Sequence, residues 1–147
     1  MMKSIAALAV LAVLAPGDTI RAHAAPVEAM SAGAVKVTVN YTGSGKVDGG
    51  HRVWVWLFET PEIGPNAIPI AEMSLEKNGE SASFEVGHER VWIAVAYDER
   101  GVMTGNAPPA PGSPIGIYAS STGAPEAVTP GAKGVIVLTV DDSQRMP

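Results

Sequence analysis

Trp54, Trp56 and Trp92 are the residues of this chain best suited to recognising another molecule, because each indole offers a broad apolar face and a single N–H donor. They stand in two runs, HRVWVWLFE (51–59) and VWIAVAY (91–97), that are apolar throughout their strand-forming centres. Side chains of an extended chain alternate between two faces, so Trp54, Trp56 and Phe58 oppose Val53, Val55 and Leu57. In the second run Trp92, Ala94 and Ala96 oppose Val91, Ile93, Val95 and Tyr97. If the two runs are neighbours, Ala94 and Ala96 leave room for the large Trp54 and Trp56. Burying one indole is worth at most roughly 4 to 6 kcal/mol before entropy is subtracted. The tryptophan face therefore needs cover, from a loop, from a ligand stacked on the indoles, or from a partner chain. Cover by the proline-rich loops or by the core is the plainest of the three. The functional expectation is a ligand-binding surface made by Trp54, Trp56, Trp92 and Tyr118 with the loop over 106–118. Its ligand would be a protein, a peptide or a carbohydrate.

Other chemistries find less support. His51 and His88, with Glu89 or Asp98, offer metal-ligating atoms, but their spacing matches no metal motif. The run Asp98-Glu99-Arg100-Gly101 begins like a calcium loop and stops after two carboxylates, which reads as a turn. The chain has no cysteine, no Gly-x-Ser-x-Gly elbow and no set of Ser, His and Asp in a context that suggests a triad. Glutamates are plentiful, yet nothing selects two of them as an acid and base pair. The expectation is a protein that is not an enzyme, with no catalytic residue, metal or cofactor.

The elements that must position these residues are strands. Val35, Val37, Val39 and Tyr41 alternate with Lys36, Thr38 and Asn40, the period of a strand with one buried face. A loop with four glycines (42–50) leads to the first tryptophan run, and TPEIGPNAIP (60–69), with three prolines, is a connection or a sheet edge. Residues 70–76 and 80–86 flank Lys77-Asn78-Gly79, where Asn-Gly predicts a hairpin. After the second tryptophan run, residues 102–113 carry three prolines and two glycines and make an irregular crossing loop. PIGIY (114–118) and 126–128 are short candidate strands, and VIVLTV (135–140) closes the domain. About seven short strands without helical periodicity predict an all-β fold, an antiparallel two-sheet sandwich of immunoglobulin or prealbumin type, with a small barrel as the alternative.

The first residues predict export. Lys3 precedes the apolar stretch 5–14, Pro16-Gly17 interrupts it, and Ala22-His23-Ala24 places small residues where a signal peptidase requires them. Roughly ten apolar residues are half of what a bilayer-spanning helix needs. The expected organisation is a helical signal peptide over 1–24 cleaved near Ala24/Ala25, a leader over 25–34, the sandwich over 35–141 and a polar tail over 142–147. The product is expected in the periplasm or secreted. The absence of cysteine excludes a lipid anchor at the cleavage site, so no membrane anchor is expected after cleavage. It also excludes disulfides, which a domain of roughly 120 residues does not need. The formal charge of −5, with scattered Lys and Arg, excludes a phosphate-binding patch and with it nucleic acid.

The segments VKVTVNY, GGHRVWVWLFE and VWIAVAYDERG, followed by a Pro/Gly-rich crossing and PIGIY, together resemble the transthyretin-like, or prealbumin-like, β-sandwich domains of small exported bacterial proteins. The resemblance spans most of residues 35–140. It implies a sandwich and no particular activity. The apolar strand faces carry the functional expectation, a binding or accessory module, with an assembly role through an apolar face or edge strand as the alternative. The resemblance departs after Asp98, where VMTGNAPPAP replaces a longer acidic loop, so it implies no ion site here.

Overall fold

The computed structural model describes residues 33–132 and 134–147. The expected signal peptide and all but the last two residues of the expected leader lie outside the described residues. Seven strands follow one another: β1 (Gly33–Tyr41), β2 (Val53–Phe58), β3 (Ala71–Leu75), β4 (Ser81–Val86), β5 (Trp92–Tyr97), β6 (Ile115–Ile117) and β7 (Val135–Val140). They form two separate sheets, ordered β4-β1-β7 and β3-β2-β5-β6, so the fold is a two-sheet sandwich. Among the described residues no helix is long and apolar enough to cross a membrane.

Against the expected antiparallel sandwich of immunoglobulin or prealbumin type, one pairing is not antiparallel, and the strand order departs from that of an immunoglobulin domain. β1 and β7 pair in parallel, Lys36 beside Val135 through Tyr41 beside Val140. β1 and β2 lie in opposite sheets, whereas in an immunoglobulin domain the first two strands are paired. Alternation in sequence reports which face of a strand is buried and carries no information about its neighbours.

The core between the sheets is built from the predicted faces. Val35, Val37, Val39 and Tyr41 of β1 meet Val53, Val55, Leu57, Ile93, Val95 and Tyr97, all buried. At one end Tyr41 and Tyr97 stack across the sandwich with centroids 4.1 Å apart.

Lys77-Asn78-Gly79 does turn the chain, with Gly79 at φ 77°, but it is not a hairpin. β3 pairs with β2, and β4 pairs with β1, so the turn carries the chain from one sheet to the other. Asn78 explains this. Its Oδ1 accepts from Tyr41 N and its Nδ2 donates to Tyr41 O, both at 2.7 Å, so the side-chain amide takes the place of a backbone partner at the end of β1.

The expected polar tail is part of the domain. Ile115 N donates to Gln144 O, Met146 N to Ser113 O and Gly112 N to Met146 O at 2.8–3.0 Å, which pairs the tail with the approach to β6. Arg145 fixes it through Gly112 O at 2.6 Å and Glu99 at 3.0 Å. Backbone groups make most of these bonds, so no apolar pattern announces them.

Asp142 clasps the glycine-rich loop. Its carboxylate accepts from the Tyr41 hydroxyl at 2.5 Å and from Ser44 N and Oγ at 2.9 Å. The Tyr41 bond, followed by the Ser44 bonds, holds the Asp142 pKa down at about 2. Burial, followed by the bond to Asp142, pushes Tyr41 up to about 12. A depressed acid stabilises the fold above its unfolded pKa, near 4, and loses that contribution as pH falls through about 2. A tyrosine raised from 10.0 to about 12 stabilises below 10 and loses its contribution as pH rises through about 12. Denaturation midpoints measured across pH should therefore fall on both flanks. Tyr41→Phe should shallow both flanks, the rest of the alkaline one coming from Tyr97, whose pKa burial also raises, and an unchanged profile would show that the clasp is not formed.

Candidate functional site

The face of the β3-β2-β5-β6 sheet that points away from the core is the tryptophan face. The β2–β5 register places Trp54 beside Ala96, Trp56 beside Ala94 and Phe58 beside Trp92, so the expected matching of large and small side chains is present. On the far side of β5, Ile115 pairs with Ala96 and Ile117 with Ala94. Trp56, Phe58, Ala94 and Ala96 are buried in this second apolar cluster, and Trp54, Trp92, Met103, Ile63 and Ala67 pack against it.

Two loops supply the cover. The first, between β2 and β3, brings Ile63 and Ala67 onto the sheet. The second, between β5 and β6, is launched by Asp98, a carboxylate 4 % exposed that accepts from Val102 N at 3.0 Å and Met103 N at 2.8 Å. The predicted turn at 98–101 thus aims this loop across the sheet. Gly101 lies at φ 68° with Gly50 O so close that a Cβ would collide with it, which is why the turn uses glycine. The loop is fastened at Gly105, whose carbonyl accepts the Trp56 indole N–H at 3.0 Å.

The covered face holds a cavity of about 320 Å³. Its floor is Trp56, Phe58, Ala94, Ile115 and Ile117. Its walls are the two loops, and Met146 of the tail closes one side. Ile68, 85 % exposed, stands among the lining residues of the first loop.

Of the four residues expected to bind, only Trp56 lines this cavity. Trp54 stacks on Trp56 with centroids 6.1 Å apart, and its Nε1 is buried with no hydrogen-bond partner. Trp92 lies under the Arg90 guanidinium at 5.9 Å, a cation–π contact. Tyr118 packs against the core between the sheets, on the opposite side. Alternation accounts for this, since Ile115 and Ile117 face outward and Tyr118 belongs to the other parity. The same rule could have found Ile115 and Ile117. Met146 has no sequence signal.

The metal and acid–base candidates stay apart. The β2–β5 register puts His51, two residues before Val53, at one end of the sheet and His88, four residues before Trp92, at the other. His51 Nδ1 meets Asp48 at 3.1 Å, and no group of three or more potential metal ligands occurs among the described residues.

Asp98→Ala would strip two backbone N–H groups of their acceptor at the root of the second loop. The expected cost is about 2–4 kcal/mol in chemical denaturation. Amide exchange should accelerate across residues 102–113 more than in β1; uniform acceleration would mean that Asp98 supports the whole fold rather than the loop. Compared with family models, with curated proteins and with solved structures, the chain finds no match.

Proposed function

We propose that this protein is an exported, non-enzymatic binding or accessory module of the transthyretin-like kind that holds its ligand in the roofed cavity on the outer sheet face. The observation that carries the reading is the combination of an apolar sheet face with two loops that cover it yet leave about 320 Å³ unfilled. A hollow of this kind, open to solvent and lined mostly by apolar side chains, leaves apolar surface in water that an apolar ligand would cover. It falls within the range of small-molecule sites. An open stacking platform for a sugar fits less well, because Trp56 is 4 % exposed.

The test is a fluorescence titration with 1-naphthylamine, a neutral, mainly apolar two-ring probe. Saturable enhancement is expected, and Ala107→Trp, a change at an exposed lining position, should weaken it about tenfold or more. Absence of saturable binding, or binding indifferent to Ala107→Trp, removes the reading.

One observation favours assembly as a second reading. β7 is the outer strand of its sheet, Val135 and Val137 are 51 % and 59 % exposed, and the strand VIVLTV has no charge or proline to discourage pairing with another chain. Light scattering after size exclusion should then report a dimer at high concentration that Val137→Lys dissociates. A monomer at every concentration argues against it.

A further inference from the structure

We infer that the cavity selects a small, uncharged, mainly apolar molecule whose polar end, if it has one, stays at the rim. The inference rests on the binding reading above and adds the chemistry of the ligand.

Among the residues that line the cavity there is no Asp, Glu, Lys, Arg or His, and no hydroxyl side chain. The polar side chains in the lining are the amides of Asn66 and Asn106, and both residues are exposed. The one side-chain donor of the floor, the Trp56 indole N–H, is already committed to Gly105 O. A charged ligand entering here would shed its hydration and find no counter-charge, a cost that disfavours either sign of ion. The nearest cation of the tail, Arg145, is engaged by Glu99, Asp142 and Gly112 O. Glu72, the β3 partner of Trp56 on the same sheet face, brings its carboxylate against Gly105, close enough that a Cβ there would collide with it. An anion therefore meets an unfavourable charge as well as an apolar lining.

Size narrows the class further. Filled to interior density, the cavity takes roughly ten to fifteen non-hydrogen atoms. Ala94 sits on the floor between Trp56 and Ile117, so a small residue lies between two large ones. That shape takes one or two rings lying on the sheet. Asn66 and Asn106 stand where a hydroxyl or carbonyl on such a molecule could be met without being buried.

The experiment compares 2-naphthol, 2-naphthoate and 2-naphthylmethylammonium, one ring system carrying a neutral, an anionic and a cationic substituent. Each is titrated into the isotopically labelled protein and read at the side-chain amide signals of Asn66 and Asn106 and at the Trp56 indole N–H. The neutral compound is expected to bind about tenfold or more tightly than either ion, with the anion weakest. Asn106→Leu should weaken 2-naphthol severalfold and leave naphthalene unchanged. Equal or tighter binding of an ion overturns the inference about charge while the cavity reading stands. Equal loss for naphthalene and naphthol in Asn106→Leu overturns the assignment of the rim. If none of the compounds shifts these signals, the cavity reading falls together with the inference.

Discussion

The hydrogen bond from the Trp56 indole to the Gly105 carbonyl joins the two halves of the functional side of this molecule. β2 is apolar on both faces. The inner face is satisfied by the opposite sheet, but the outer one has no third layer to meet it. A large aromatic group could be covered by any apolar loop. A buried indole N–H costs free energy without an acceptor, and of the two stacked indoles Trp56 has one while Trp54 does not. Gly105 supplies that acceptor, and a residue without a side chain can bring its carbonyl down against a ring. The bond fastens the second loop over the sheet at its middle. Asp98 then sets the direction from which the loop arrives.

The strands are largely legible in the sequence because their signal is local. The alternation in residues 35–41 and the run 135–140 report burial directly, and β7 has the expected bounds. Pairing is not legible, since the parallel contact between β1 and β7 joins residues about a hundred positions apart. Asn-Gly points to a hairpin because that dipeptide favours a tight reversal, and the reversal is there. What overrides the pairing is the Asn78 amide bonding to Tyr41, a contact with a residue 37 positions away.

The candidate site is half legible for the same reason. Parity places Trp54, Trp56 and Phe58 on one face, and the prolines of the two connections mark them as loops. Which indole lines a cavity depends on where those loops land. That is decided by Asp98 and Gly105, residues whose roles involve backbone partners and a single indole donor. The tail contributes Met146 through backbone pairing, with no pattern in its side chains to reveal it.

The parallel pairing of β1 and β7 also has a consequence in time. β1 is the middle strand of its sheet, and one of its two neighbours is the last strand of the chain. Until residues 135–140 have been made, that sheet has only two strands and the Val35, Val37 and Val39 face lacks Ile136, Leu138 and Val140 beside it. The covering of the outer face waits as well, because Met146 and the tail bonds come later still. Contacts this distant in sequence slow folding. A chain made only as far as residue 134 therefore lacks one strand of this sheet and the part of the core that strand supplies.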